Sequence, residues 1–515
     1  MKVKMILPAL TEAKSPFWRP IKYSLFPPLG LATLAGYLHE DDEVIIQDEH
    51  VEQLDPSDEP DLVVIQVYIT SACRAYELAG HYRRKGAHVA LGGLHVTSLP
   101  EEASRHADTI FLGPGEDTWP AFLTDFRAGR PARRYRSRTR TLEGMPSPRR
   151  DLIRRQLYLV PNSIVVSRGC PHRCDFCYKE SFFAGGKSFY TLAVDRALEE
   201  IESLPGRHLY FLDDHLFGNP RFASALFEGM KGMGRLWQAA GTVQSVLQPG
   251  LLERAASSGL RSLFVGFETI SPANLMDQHK YQNLDRDYGA GVRRLHDLGV
   301  MVNGSFVYGM DHDGPGVFDR TVEWAIRQGI ETATFHILTP YPGTTLHDRL
   351  ARQGRITSTD WDMYDTRHVV YRPARIAPGE LEAGYWRSYR DFYRWSSILR
   401  GAWSKEAWPE RLRHVAYAGG WKRLEPLWDL VIRARRVTSA LPVLEGILEG
   451  LGRPSEGESF VALSPQLPRS RSTVEGRPPS TTGYAGMPLR RAGKRLRGGF
   501  HRKPRHEHLQ RERQG

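Results

Sequence analysis

Three of the four cysteines in this 515-residue chain fall within eight residues, in the stretch Val165-Val166-Ser167-Arg168-Gly169-Cys170-Pro171-His172-Arg173-Cys174-Asp175-Phe176-Cys177-Tyr178. The spacing is C-x3-C-x2-C, with an aromatic residue just before the last cysteine. Thiolates this close on one loop can converge on one metal centre, and sulfur ligands select zinc, copper(I) or iron–sulfur clusters. Ligand count separates these. A structural zinc site takes four Cys or His ligands, and His172 between the first two cysteines could complete one. A four-iron cluster held by three thiolates keeps one iron open, which is what direct binding of a substrate or cofactor requires.

The elements that must position this loop follow a strand–helix rhythm. Residues 162–167 read as a strand running straight into the cysteines. Behind it come helix 192–204, strand 208–212, helix 220–240, strand 242–247, helix 250–258 and strand 262–267. Helix 284–298, strand 302–308, helix 317–328 and strand 332–338 complete the series. Six strands with helical crossovers predict a partial (βα)6 barrel, whose chemistry belongs on loops at the carboxyl ends of the strands. The cysteine loop follows the first of them.

Ahead of the barrel, the chain alternates in the same way. Apolar runs at 2–10, 43–47, 61–68, 89–91 and 109–112 have strand length, and 28–38 and 75–85 carry apolar residues at helical spacing. This predicts a Rossmann-like, doubly wound parallel sheet over 1–135, with ligands at the strands' carboxyl ends. Gly92, Gly93, Gly113 and Gly115 sit at those ends and permit close backbone approach to a large ligand. Residues 128–154 are rich in Arg and Pro and read as a linker, placed at 136–155. The barrel is assigned to 156–350, a helical cap to 351–450 and a disordered basic tail to 451–515. Cys73 is expected to be a buried thiol and His50 an ordinary surface residue.

Composition narrows the class further. Four cysteines, three of them clustered, argue against a disulfide framework and for a reducing, cytoplasmic setting. No run of about 18 apolar residues exists, so no membrane span is expected. The net charge of +11 lies almost wholly in residues 469–513, where 13 Lys and Arg face 3 acidic residues. The body is therefore nearly neutral. That argues against a nucleic-acid-binding fold, and it leaves the tail to solubilise the chain or touch an anionic surface such as a membrane.

Cys170-x3-Cys174-x-Phe176-Cys177 resembles the signature of the radical S-adenosylmethionine (radical SAM) enzymes. Pro27-Pro28-Leu29-Gly30-Leu31, Gly92-Gly93-Leu94-His95-Val96-Thr97 and Gly113-Pro114-Gly115-Glu116-Asp117 resemble the cobalamin-binding domain that precedes the barrel in one branch of that superfamily. The resemblance implies a 4Fe-4S cluster on Cys170, Cys174 and Cys177, with its open iron chelating S-adenosylmethionine (SAM). It implies SAM contacts from Asp213 and Asp214 (amino group), Ser245 (carboxylate), Glu268 (ribose), and Val307 and Tyr308 (adenine). For cobalamin it implies Ser71, Gly92, Gly93, His95, Gly113, Gly115 and Glu116. The D-x-H-x-x-G motif that supplies a cobalt ligand is missing from loop 11–15, so the resemblance implies cobalamin bound without a protein histidine on cobalt.

The activity implied is methylation of an unactivated carbon: a 5′-deoxyadenosyl radical abstracts hydrogen and methylcobalamin delivers the methyl group. Oxidative cyclisation or rearrangement with the same cofactors is the alternative, and a metal-stabilised binding protein the reading from another class. A small-molecule or lipid substrate and a flavodoxin- or ferredoxin-type electron donor complete the expectation. Tyr364 and His368, in the aromatic region after the barrel, read as core more readily than as substrate contacts.

Overall fold

The computed structural model describes residues 1–10, 25–422, 431 and 434–450. Loop 11–15 and the basic tail lie outside the described residues. Two six-stranded sheets organise the rest. The first contains β1 (Lys2–Leu7), β2 (Glu43–Asp48), β3 (Leu62–Gln66), β4 (His88–Gly92), β5 (Thr109–Leu112) and β6 (Arg134–Arg136). Every pairing is parallel and the order is β2-β1-β3-β4-β5-β6. Strand order reverses at β1, whose neighbours are β2 on one side and β3 on the other. A parallel sheet buried on both faces needs near-continuous apolar strands. Met5, Ile6, Val63, Ile65, Val89 and Leu91 are accordingly buried.

The sixth strand departs from expectation. Residues 134–136 fall in the Arg- and Pro-rich stretch read as a linker, yet Tyr135 pairs with Phe111 in the sheet. The strand's Arg134 and Arg136 are exposed, so an edge position, open on one side to water, accepts a run whose composition conceals it.

The second sheet contains β7 (Ser163–Ile164), β10 (His208–Phe211), β11 (Leu236–Gly241), β12 (Leu260–Glu268), β13 (Met301–Tyr308) and β14 (Thr332–Ile337). They are parallel and follow chain order. This is the open, six-stranded partial barrel. Between its first two strands, β8 (Ser167–Gly169) and β9 (Phe189–Thr191) form a small antiparallel ribbon around the cysteine loop. The expected strand 162–167 is therefore two short ones.

One stretch is corrected outright. The helix expected over 220–240 ends at Met230, and residues 236–241 form β11 instead. Residues 243–247, expected as a strand, form a short helix. Gly232 and Gly234 adopt φ of +82° and +65° just after the helix, a left-handed conformation that breaks it. Thr242 then caps the new helix by accepting from the Ser245 N–H.

Past the barrel, helix 378–392 packs beside β14, the sheet's outer edge, and helix 395–403 packs against helix 317–327. The Tyr393 hydroxyl contacts both the N–H and C=O of Ala333, at 3.0 and 2.9 Å, and Tyr389 does the same at Phe335. An exposed edge is a liability; here two tyrosines satisfy it.

Candidate active site

The cysteine loop leaves β8 through Gly169, whose φ is +78° and whose absent Cβ would lie 2.0 Å from the Ser188 carbonyl. Only glycine fits there. Cys170 then donates its N–H to that same carbonyl at 2.9 Å, and Cys177 donates to the Cys174 carbonyl at 2.9 Å. The middle of the loop is anchored from both sides. Asp175 donates its N–H to the Gln278 carbonyl, its own carbonyl accepts from Leu346, and its carboxylate stands 2.7 Å from His279 Nδ1. Gln282 Nε2 approaches Cys174 Sγ at 3.3 Å. Lys280 is ion-paired to Glu268 and lies over the Phe176 ring at 5.7 Å.

These residues fit a cluster. The three cysteines carry free thiols, and burial pushes Cys174 up to about 11. A buried thiolate is costly alone but is the form that a bound iron stabilises. Among the described residues, no group of three or more His, Cys, Asp or Glu is disposed to hold one metal ion. Thiolates in a four-iron cluster each take a separate iron.

The other expected SAM residues divide. Asp214 lies beside the loop: it accepts from Gly169 N–H (3.0 Å) and the Tyr178 hydroxyl (3.1 Å), with Lys179 Nζ at 3.3 Å. Val307 packs with Phe176 in a small apolar cluster. Asp213 is committed to the fold. Buried, it accepts from the Val166 and Ser167 N–H groups and the Ser167 hydroxyl, and burial pushes it up to about 7. Ser245 spends its hydroxyl on Thr242, donating to its carbonyl at 2.7 Å. The Tyr308 ring packs between Phe318 and Phe335, at 4.9 and 5.7 Å, in the layer outside the barrel.

Facing the cysteine loop is a cavity of about 520 Å³ at the carboxyl edge of the first sheet. Leu7, Gln66, Gly92 and Gly113 line it from the ends of β1, β3, β4 and β5. Arg168, Tyr178 and Asp214 line it from the barrel. This is the crevice that a doubly wound sheet opens where its strand order reverses. Gly93 has φ +122°, and a Cβ there would meet the Val67 carbonyl at 2.6 Å; glycine is required for the backbone to line the crevice. Gly115 and Glu116 line it too, and Glu116 accepts from Arg168 Nε at 2.8 Å. Glycine-edged walls and room for a large ligand fit cobalamin. Ser71 does not reach the cavity, since its hydroxyl closes the turn at Tyr68.

A second cavity, of about 430 Å³, adjoins the first and shares Tyr68, Leu94 and Tyr178 with it. His95 lines this one. Its Nε2 pairs with Glu102 at 2.9 Å, and burial lowers its pKa. His50 lines it as well and is 8% exposed, its Nδ1 at 2.7 Å from Asp48. The surface position expected for His50 is overturned: Asp48, itself buried at the end of β2, holds the ring inward. Cys73, expected buried, is exposed, because it falls on the solvent side of helix 72–84. Tyr364 is buried and also lines this cavity, whereas His368 is exposed.

Lys280, Gln282 and Tyr178 carry no motif. The first two reach the loop from more than 100 residues away in sequence; only Tyr178, next to Cys177, stood where adjacency could have flagged it.

A doubly wound domain whose crevice opens on a three-cysteine loop at a barrel mouth is the arrangement of an enzyme that brings a large ligand against a thiolate-held centre. Residues 23–123 match the B12 binding domain and residues 164–325 the Radical SAM superfamily. The chain is 28% identical to bacteriochlorophyllide d C-12(1)-methyltransferase of Chlorobaculum tepidum, over 72% of this chain and 84% of the relative. It is 28% identical to hopanoid C-2 methylase of Rhodopseudomonas palustris, over 65% and 66%. The fold matches that of the radical SAM methyltransferase TsrM from Kitasatospora setae, with a TM-score of 0.59 and 15% identity over 85% of this chain and 99% of that one. The chain belongs to the cobalamin-dependent radical SAM methylase family. It is an enzyme, and its cofactors are a 4Fe-4S cluster, SAM and cobalamin. Among the described residues, no helix is long and apolar enough to cross a membrane.

Proposed function

We propose that this enzyme methylates an unactivated carbon of a small molecule or lipid held between the first sheet's carboxyl edge and the barrel mouth. The observation that carries the reading is the pair of adjoining cavities meeting at Tyr178, one residue beyond Cys177. When bound, the cluster and SAM supply radical chemistry and cobalamin supplies the methyl group.

Cys170, Cys174 and Cys177 hold the cluster in this reading. The Gln282 amide donates toward Cys174 Sγ, which favours the thiolate. Asp214, Glu268 and Val307 present SAM-binding groups at the mouth. Gly92, Gly93, Gly113, Gly115 and Glu116 shape the corrinoid crevice. Asp213 acts beneath them by pinning Val166 and Ser167, the residues that lead into the cysteine loop. A flavodoxin- or ferredoxin-type donor supplies electrons, and the four free cysteines support a reducing, cytoplasmic setting.

The test is anaerobic reconstitution with iron, sulfide and cobalamin, then incubation with SAM and a reductant. Formation of 5′-deoxyadenosine together with retained corrinoid is expected. Deoxyadenosine without corrinoid would remove the methylase reading.

A further inference from the structure

We infer that the cavity lined by His95 is the substrate pocket, and that it takes a bulky aromatic or polycyclic molecule bearing an amine while rejecting carboxylates. This rests on the functional reading above, because it is that reading which makes the residues beside Tyr178 the place of reaction.

The lining decides the class. Tyr68, Tyr178, Tyr341 and Tyr364 give the pocket an aromatic wall, and its 430 Å³ is the size of a small-molecule site. Among the described residues that line it there is no Lys or Arg, whereas the adjoining crevice has Arg168. Its acidic groups are Asp362 and Asp365. Asp365 is engaged, accepting from the Arg367 and His368 N–H groups at 2.9 and 3.1 Å and contacting the His368 ring. The half-buried carboxylate of Asp362 has no donor among the described residues.

A carboxylate without a donor, in a cavity lined by four tyrosines of which, among the described residues, only Tyr178 already has a cation (Lys179 Nζ, 5.9 Å) over its ring, is a site for a cation, since ring faces attract ammonium groups and the carboxylate supplies the counter-charge. An anionic ligand would meet two aspartates and, among the described lining residues, no Lys or Arg. The histidines do not alter this. Burial holds His95 toward its neutral form, and the His50 ring is held against Asp48, so a charge there is matched by its own partner.

Three probes of one shape separate the possibilities: 2-(2-naphthyl)ethylamine, 2-naphthaleneethanol and 2-naphthylacetate, titrated calorimetrically into the full-length reconstituted protein. The amine should bind at least about tenfold more tightly than the carboxylate, with the alcohol between them. Asp362→Asn should shrink that ratio while leaving the affinity for the alcohol unchanged. Equal or tighter binding of the carboxylate, or no binding of any probe, overturns the inference, and the wild-type series decides this without the variant. Corrinoid retention and 5′-deoxyadenosine are measured on the same preparation. Their loss with amine selectivity intact would count against the functional reading, and the reverse result against the pocket alone.

Discussion

Arg168 and Glu116 tie the two halves of the site together: the guanidinium Nε donates to the Glu116 carboxylate at 2.8 Å, and both side chains are largely buried, at 18% and 14% exposure. Arg168 stands two residues before Cys170. Glu116 lies in the loop that follows β5 and lines the proposed corrinoid crevice. The ion pair thus joins the crevice of the first sheet to the short strand that leads into the cysteine loop.

Removing one partner of a buried pair leaves an uncompensated charge, at a cost of about 3–5 kcal/mol. Glu116→Gln keeps the shape but not the charge. It should cut corrinoid retention at least about tenfold at unchanged iron content. Corrinoid absorbance and iron analysis on the same sample check this; full corrinoid retention would show that Glu116 is not part of the crevice.

Cys170, Cys174 and Cys177 should be individually indispensable, because a three-thiolate cluster has no spare ligand. Alanine at any one should abolish the visible cluster absorbance and 5′-deoxyadenosine formation together. Cys73→Ala is the control: exposed on its helix and remote from the loop in sequence, it should leave both unchanged. Loss of the cluster in the Cys73 variant would mean that the ligand set is misassigned.

The barrel and the cysteine loop were legible in the sequence because each is local: short continuous apolar runs mark the buried parallel strands, and three thiolates in one loop need no tertiary information. Strand β5 came out at its observed limits for that reason. What stayed hidden depends on contacts across the chain. Residues 236–241 lie in an apolar run that reads as a continuation of the preceding helix, until the glycines at 232 and 234 are seen in left-handed conformations. Strand β6 hides behind its arginines because an edge strand need not be apolar. At the site, Asp213 and Asp214 are adjacent and chemically identical, yet one pins the backbone under the loop and the other faces the cavity. The alternation of side chains at a strand's end separates them, and a one-residue shift in register would exchange their roles.

Lys405 and Glu331 form the buried link between the C-terminal helices and the barrel. Both are under a tenth exposed. Lys405 Nζ also reaches His296 Nε2 at 2.8 Å, and Glu331 accepts from the Val302 N–H at 2.9 Å. Lys405→Met leaves the buried Glu331 without its lysine partner, with His296 and His414 beside it, and should cost about 3–5 kcal/mol. Limited proteolysis should then cut the region after residue 395 faster, with cluster content preserved. An unchanged cleavage rate would mean that helix packing, and not the ion pair, holds the segment.

His208 opens β10 with its side chain fully buried and, among the described residues, without a partner on either ring nitrogen. Burial pushes its pKa down to about 4 from the ordinary 6.5. Between those values the unfolded chain binds a proton that the folded chain refuses, so this contribution to stability is complete above pH 6.5 and is lost as pH falls toward 4. At pH 5 the loss amounts to about 2 kcal/mol. His208→Leu removes both the titration and an unsatisfied polar ring at similar volume. Its advantage over the wild type should be small at pH 7.5 and larger by about 2 kcal/mol at pH 5. Carboxylates that titrate in the same range cancel in the comparison of the two proteins. Denaturant midpoints at the two pH values give the answer, and an equal gap at both would show that His208 keeps an ordinary pKa in the fold.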